Sequence, residues 1–258
     1  MATKVTGQGA PLLLLHGIIS DASFFDGAAE SLGAHFRTIW YDRRGYGASE
    51  APADGDYSVA AQVEDAAQVL REQVGEPAWV FGNSAGGLIA VALALTHPKL
   101  VRGLVLLEPS LVVDDASKAE IAAWNAELNG YVASNRLKRA LPAFARVVGD
   151  PNPPKEAPSL VEMRKVFANL TNFMHGELNC VQRYAPSLEQ LEGMEMPVCV
   201  IVTRGGRGGM FGRTSEAGAR ALGWPIEFID GYHNVAKDDP AGFAELLTAI
   251  LARMQVTA

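Results

Sequence analysis

Short apolar runs alternate with longer amphipathic segments in two parts of the chain, residues 1–110 and 195–258. The apolar runs predict β-strands over residues 11–18, 37–42, 78–81, 101–108, 197–202 and 226–230. Apolar residues at helical spacing predict helices over residues 23–33, 58–74, 87–95 and 240–254. Strands that alternate with helices form a mainly parallel sheet with helices on both faces, and active sites in such sheets lie at the carboxyl ends of the strands.

The intervening stretch, residues 111–194, has helical patterning and no convincing strand. Its apolar residues recur at helical spacing in two groups, which are Ile121, Trp124, Leu128 and Tyr131, and then Leu160, Met163, Phe167, Leu170 and Met174. A proline-rich connector at residues 150–158 separates the two groups. We therefore predict an α/β core domain, residues 1–110 and 195–258, with a helical cap inserted at residues 111–194.

A glycine-flanked serine follows the strand at residues 78–81 and precedes a helix. The segment 82–86 reads Gly-Asn-Ser-Ala-Gly, in which Ser84 has glycines two positions away on each side. A serine in a tight turn between strand and helix needs such neighbours, because larger side chains there would clash. Serine is a poor nucleophile unless a base and an orienting group activate it. The motif makes Ser84 a candidate nucleophile.

The composition indicates which class of molecule the protein binds. The chain has 258 residues, a formal net charge of −7 and scattered basic residues, which disfavours nucleic acid and membrane surfaces and leaves a small molecule. The two cysteines, Cys180 and Cys199, do not indicate a disulfide framework. No apolar run has the length of a signal sequence or a membrane span, so we expect a cytoplasmic protein, monomeric or homodimeric.

The five histidines show no metal-ligand spacing with one another or with the cysteines, so no metal is expected. A glycine-rich segment at residues 205–212 has Arg204, Arg207 and Arg213 around it. It fits neither the P-loop nor the dinucleotide fingerprint, and no cofactor is expected. The segment is interpreted either as an anion-binding loop or as a mobile loop, and its Met210 and Phe211 as possible pocket residues.

Four motifs in order make the chain resemble the α/β-hydrolase superfamily over nearly its whole length. They are the His-Gly turn at residues 14–18, the Asp-x-Arg-Gly-x-Gly-x-Ser loop at residues 42–49, the serine elbow at residues 82–86, and Gly-Tyr-His at residues 231–233. Two features depart from the family pattern. The segment before the His-Gly strand is short, so the family's first hairpin is expected to be reduced, and the loop at residues 203–213 lacks the usual carboxylate.

The resemblance implies a catalytic triad in which Ser84 attacks and His233 is the base. For the acid we choose Glu108, which ends the strand at residues 101–107 and resembles a Leu-x-Glu-Pro segment of lactone hydrolases. The alternative is that Glu108 only caps or pairs with a cation. Three other carboxylates then remain as candidates, which are Asp114, Asp115 and Asp230.

The resemblance also implies the supporting groups of the site. The backbone amides of Ile18 and Ala85 are the expected donors of an oxyanion hole. By the same comparison, the ring of His16 is expected to make structural hydrogen bonds, and Asp42 to hold Arg43 or Arg44. The expected substrate contacts are Trp124, Tyr131, Phe173, Met210 and Phe211.

These features predict a cofactor-independent serine hydrolase that cleaves a carboxylic ester or lactone of a fairly hydrophobic small molecule. The alternative on the same fold is a carbon-carbon bond hydrolase, since that branch also has a Gly-Asn-Ser elbow. Haloperoxidase or perhydrolase activity ranks lower, as a side reaction. A different class is a non-catalytic small-molecule-binding protein, because the fold also serves as a hormone receptor, although intact Ser84 and His233 argue against it.

Overall fold

The computed structural model describes residues 1–109, 111–148 and 159–257, and the predicted connector at residues 150–158 falls outside this part. In the described residues seven strands form one sheet, which are β1 (Thr3–Thr6), β2 (Ala10–Leu15), β3 (Phe36–Tyr41), β4 (Ala78–Asn83), β5 (Val101–Leu107), β6 (Val198–Thr203) and β7 (Ile226–Ile229). Their spatial order is β1-β3-β2-β4-β5-β6-β7, and only β1 runs antiparallel to its neighbour. The mostly parallel sheet is as the sequence predicts.

Helices connect and cover the strands. They are α1 (Asp26–Leu32), α2 (Val59–Gln73), α3 (Ala85–Thr96), α4 (Asp115–Ala133), α5 (Ala140–Val148), α6 (Leu160–Asn172), α7 (Leu178–Arg183), α8 (Leu188–Glu192), α9 (Met210–Ala221), α10 (Val235–Asp238) and α11 (Pro240–Thr257). A π-type turn, Phe173–Glu177, joins α6 to α7. No helix in the described ranges is both long and apolar enough to cross a membrane.

The central strands are apolar on both sides because both faces of the sheet are covered. In β2, Leu13 and Leu15 belong to the cluster under α2, α3 and α9, whereas Leu12 and Leu14 belong to the cluster under α1 and α11. All four leucines are fully buried. A run of consecutive leucines is therefore the expected sequence of an interior parallel strand.

Helices α4 to α8 lie between β5 and β6, where the sequence predicts the cap, and we call this part of the chain the cap. An apolar cluster lies between the cap and the core, and in it Trp124, Phe144 and Phe173 pack with Phe211 of the core. Aromatic packing of cap against core is therefore seen directly at the junction, above the carboxyl ends of the strands.

Ahead of β2, the described chain has a single short strand, β1, which pairs with β3 and forms no hairpin with β2, in keeping with the reduced first hairpin that the sequence predicts. One part of the core was not predicted. The glycine-rich segment at residues 205–212 is a tight turn that leads into α9, a helix that the sequence analysis missed. Gly212 is needed there, because a Cβ atom would lie 2.5 Å from the carbonyl oxygen of Gly206.

The arginines of this segment are paired with carboxylates. Arg207 lies 2.6 Å from Glu216, and Arg204 lies 2.9 Å from Asp230. Arg213 pairs with Glu120 of the cap. Each of the three arginines thus has a carboxylate partner within the chain, and the segment ends in the first turn of α9.

Candidate active site

The carboxyl ends of β4, β5 and β6 lie side by side and are tied together by backbone hydrogen bonds. The N–H of Ser84 donates to the carbonyl of Leu107 at 2.9 Å, and the N–H of Glu108 donates to the carbonyl of Ile201 at 3.0 Å. The residues that follow neighbouring parallel strands are therefore held at one edge of the sheet. His233 follows β7 and reaches the same edge.

Ser84 occupies a strained turn between β4 and α3. Its φ of 55° and ψ of −123° lie in a region that non-glycine residues rarely adopt, at a cost of about 1–3 kcal/mol. The flanking glycines make the turn possible. A Cβ atom on Gly82 would lie 2.5 Å from the carbonyl oxygen of Gly86, and one on Gly86 would lie 2.2 Å from that of Leu15. Strain of this kind is typical of a functional position.

Glu108 bridges β6 and the imidazole of His233. One carboxylate oxygen accepts hydrogen bonds from the backbone N–H and the hydroxyl of Thr203, at 2.9 and 2.6 Å. The other oxygen accepts from Nδ1 of His233 at 2.6 Å. Glu108 is fully buried, which raises its pKa, but the hydrogen bonds from His233 and Thr203 outweigh burial and hold the pKa below the usual value.

This geometry sets the tautomer of His233. An ionised Glu108 can only accept hydrogen bonds, so Nδ1 of His233 carries a proton and Nε2 is left with a free lone pair. The loop that presents the ring turns at Gly231, whose φ is 115°. The ring of Phe211 stacks on His233, with centroids 5.4 Å apart and planes 21° apart. A buried, oriented imidazole of this kind can act as a general base.

The His-Gly turn after β2 lies directly against the nucleophile candidate. A Cβ atom on Gly17 would be 3.1 Å from the Cβ of Ser84. Ile18, which follows, borders a cavity together with Ala85, the first residue of α3. The N–H of a first helical residue has no partner within the helix. The structure thus places Ile18 and Ala85, whose amides are the predicted donors, on the lining of one cavity.

The ring of His16 joins this turn to the loop after β3 by two hydrogen bonds. Its Nδ1 donates to the carbonyl of Gly17 at 2.8 Å, and its Nε2 accepts from the backbone N–H of Arg43 at 3.1 Å. Complete burial, with a smaller effect of the Arg43 charge, lowers the pKa of His16 from 6.5 to about 3. His16 is therefore a neutral structural residue.

This lowered pKa predicts an acid-sensitive stability. The unfolded chain takes up a proton on His16 below pH 6.5, whereas the folded chain takes it up only near pH 3. The stabilisation is thus complete above pH 6.5 and is lost as the pH falls, by about 2 kcal/mol at pH 5. Urea unfolding at neutral pH and at pH 5 should show this loss in the wild type and a smaller one in His16→Asn. The exposed-histidine control, His35→Asn, should behave as wild type, and an undiminished loss in His16→Asn would contradict the assignment.

A cavity of about 220 Å³ lies between the cap and the core. Of the predicted substrate contacts, Trp124, Phe173 and Phe211 line it. Tyr131 does not, because it lies further along α4, where its hydroxyl donates to Glu127 at 2.7 Å. Met210 is buried in the cluster between cap and core and is also absent from the lining.

The sequence analysis did not single out two polar residues of this lining. Lys118 and Asn125 lie on the same face of α4 as Ile121. Their spacing from Ile121, three residues before and four after, was the signal that could have found them. Most of the other side chains that line the cavity are apolar, whereas Lys118 supplies a cation and Asn125 supplies a side-chain amide.

The structure changes the interpretation of Asp42. Its carboxylate accepts from the backbone N–H groups of Ala22 and Ala48, at 2.7 and 2.8 Å. The prediction that it holds an arginine was wrong, since Arg43 pairs with Glu177 of the cap and Arg44 with Asp65 of α2. Asp42 instead joins the start of the segment at residues 22–25 to the loop at residues 42–49.

The other carboxylates considered for the triad have different partners. Asp114 caps α4 by accepting from the N–H of Ser117 at 2.8 Å, and Asp115 pairs with Lys118 at 3.1 Å. Asp230 pairs with an arginine at the surface. Across the described ranges, no group of three or more histidine, cysteine or acidic residues has the arrangement of a metal site.

Comparison with known proteins gives relatives of several activities. An esterase of Mycobacterium tuberculosis is 29% identical over 97% of this chain and 85% of that protein. A 2-hydroxymuconate semialdehyde hydrolase of Pseudomonas putida is 38% identical over 54% of this chain and 49% of that protein. Several other curated relatives are likewise matched over about half of their length.

The solved structure of Est816, described as an N-acyl homoserine lactone degrading enzyme, has the same fold. It superposes with a TM-score of 0.78 and 20% identity, over 96% of this chain and 95% of that one. A family model, described as the alpha/beta hydrolase fold, matches residues 10–185, which is more than half of the chain. The chain therefore belongs to the α/β-hydrolase fold family.

Proposed function

We propose that this protein is a cofactor-independent serine hydrolase that cleaves a carboxylic ester or lactone through an acyl-enzyme on Ser84. The observation that carries the proposal is the buried 2.6 Å hydrogen bond between Glu108 and His233, next to a serine held at positive φ. Both features are what nucleophilic catalysis by serine requires.

The reaction would proceed in two halves. As Oγ of Ser84 attacks the substrate carbonyl carbon, Nε2 of His233 takes the hydroxyl proton, and Glu108 stabilises the resulting imidazolium. The tetrahedral intermediate collapses when His233 returns the proton to the leaving alkoxide, which departs as an alcohol from an ester or stays attached to the acyl group as a hydroxyl when a lactone ring opens. In the second half water attacks the acyl-enzyme with the same proton transfers, and the acid is released.

The N–H groups of Ile18 and Ala85 are the proposed donors to the oxyanion. Ala85 is the first residue of α3, so the helix dipole also favours negative charge at this point. Ile18 follows the glycine that lies against Ser84. Loss of one such donor typically lowers kcat by about 10²–10³-fold.

The cavity supports a small, largely hydrophobic substrate. Its walls include aromatic and aliphatic side chains, and its volume of about 220 Å³ suits a compact molecule. Lys118 and Asn125 place a cation and an amide on the α4 side. We propose that the substrate has an apolar body in the cavity and a polar group directed toward α4.

A second candidate function is hydrolysis of a carbon-carbon bond. The observation that favours it is the similarity to the 2-hydroxymuconate semialdehyde hydrolase, which is 38% identical over 54% of this chain. In that reaction the leaving group is a carbon, which must be protonated instead of an alkoxide. The two functions thus differ in product and can be separated by assay.

The test combines active-site labelling with product analysis. A fluorophosphonate should add once to the folded protein, on the peptide that contains Ser84, and should not add to the unfolded chain, which has the same serines without the site. Turnover of a short p-nitrophenyl ester or a γ-lactone, without cleavage of a vinylogous diketone, supports the ester class. Diketone cleavage alone would support the second candidate. Absence of both label and turnover would contradict both and favour a binding protein.

A further inference from the structure

The side chain of Arg43 lies buried between the His-Gly turn and the cap, with 1% of its surface exposed. We propose that Arg43 is a positioning residue for the oxyanion hole, and that with Glu177 of the cap it holds the Gly17–Ile18 peptide so that the N–H of Ile18 faces the reacting carbonyl. This inference rests on the proposed function, since it concerns how that hole is built.

The argument begins with the planarity of the peptide. The carbonyl of Gly17 and the N–H of Ile18 belong to one trans peptide unit, so they point in opposite directions and rotate together. The Gly17 oxygen accepts from Nη2 of Arg43 at 2.9 Å and from Nδ1 of His16 at 2.8 Å. Two donors on the oxygen fix the plane, and therefore fix where the N–H on the other side points.

The turn needs such anchoring because it is strained. Ile19, immediately after the proposed donor, has a φ of 57°. A β-branched residue at positive φ is an outlier that costs about 1–3 kcal/mol and persists only where its surroundings impose it. Without the charged donor on Gly17, the turn could relax toward an ordinary conformation. The N–H of Ile18 would then leave the cavity wall.

Arg43 is itself held by hydrogen bonds to buried polar side chains. Its Nη1 donates to Glu177 and to the amide oxygen of Gln62, and its Nη2 lies 3.3 Å from the second oxygen of Glu177. Gln62 also donates to Glu177 at 3.0 Å, and the hydroxyl of Tyr46 donates to the same carboxylate. Burial lowers the pKa of Arg43, but the Glu177 charge, the nearby Tyr46 and the hydrogen bond to Glu177 together outweigh burial and raise the pKa. The guanidinium is therefore a permanent cation.

This arrangement links the cap to the chemistry. Glu177 ends the π-type turn of the cap, and Phe173, which begins that turn, lines the cavity. One turn of the cap thus supplies both a wall of the substrate cavity and the counter-ion that fixes Arg43. The oxyanion donor is consequently oriented only when the cap is seated on the core.

The test is Arg43→Met, which removes the charged donor and retains much of the apolar volume. We expect Arg43→Met to have a kcat about 100-fold lower per labelled active site, with a KM that changes by less than about threefold. The affinity for a trifluoromethyl ketone, whose adduct with Ser84 carries an oxyanion, should fall by a similar factor. Arg43→Lys should lie between Arg43→Met and wild type, because an ammonium reaches fewer of the acceptors.

The matched control is Arg44→Met. Arg44 also joins the loop to α2, through Asp65 at 2.6 Å, and is less buried than Arg43, with 14% of its side chain exposed; its hydrogen bonds go to Asp65, Asp56 and Ala61 and not to Gly17. Its kcat should stay within about twofold of wild type. If Arg43→Met does not fold, Glu177→Gln replaces it, since the amide keeps an acceptor and removes the charge, and its kcat should fall about tenfold.

A normal kcat and ketone affinity in the folded Arg43→Met or Glu177→Gln variant would overturn the inference. An equal loss in Arg44→Met would also overturn it, because the effect would then be one of general stability. A wild type that neither labels nor turns over would instead mean that the proposed function fails, so the two failures are distinguishable.

Discussion

Replacement of Ser84 by alanine is expected to lower kcat by about 10⁶-fold and to abolish the fluorophosphonate adduct. The proposed mechanism has one nucleophile, and the remaining oxyanion donors and cavity contacts give only modest acceleration without it. The measurement is ester turnover together with intact mass of the labelled protein. Substantial turnover by Ser84→Ala would exclude an acyl-enzyme on this residue.

A second variant at this position separates chemistry from folding. Ser84 has a φ of 55°, which alanine adopts at the same cost as serine but glycine adopts freely. Ser84→Gly should therefore be as inactive as Ser84→Ala and more stable to urea by about 1 kcal/mol. Equal stabilities would mean that the turn is not strained at this residue. Inactivity in the more stable variant shows that activity is lost with the hydroxyl and not with the fold.

The sequence was sufficient for features that depend on local pattern. The strand, the glycine pair and the following helix locate Ser84, because the turn itself demands small neighbours. Glu108 could be chosen from its place at the end of a strand, since parallel neighbours finish at one edge of the sheet. Its hydrogen bond to His233 spans 125 residues of sequence, and His233 was expected because its Gly-Tyr-His segment, after the last strand, resembles the position of the catalytic histidine in α/β-hydrolases.

Contacts between cap and core could not be predicted in the same way. Glu177 and Arg43 are 134 residues apart, and although Arg43 follows β3, Glu177 lies in the cap and no spacing in the sequence indicates that the two are partners. Helical spacing placed Trp124 and Tyr131 in one apolar group, but the cavity reaches only the first of them. Periodicity identifies the buried face of a helix and not how far along the helix a cavity extends.

Replacement of Glu108 by glutamine should lower kcat by about 10⁴-fold with the fold intact. The reason lies in the partners of the two carboxylate oxygens. Thr203 donates twice to one oxygen, so the carbonyl of a glutamine would remain there and its NH₂ group would face His233. Nδ1 of His233 would then have to accept, which moves the ring proton to Nε2. An imidazole protonated at Nε2 cannot take the proton of Ser84.

Three variants decide whether this tautomer argument is right. Asp230→Asn, which removes a carboxylate that pairs with Arg204 at the surface, should keep full activity. Glu108→Asp, which keeps the charge but shortens the reach to His233, should be more active than Glu108→Gln, because an ionised group still selects the Nδ1 proton. Measurement of kcat per active site against pH tests all three. If Glu108→Gln retained near-normal activity while Asp230→Asn lost it, Asp230 would be the orienting acid and the buried Glu108–His233 bond would be structural.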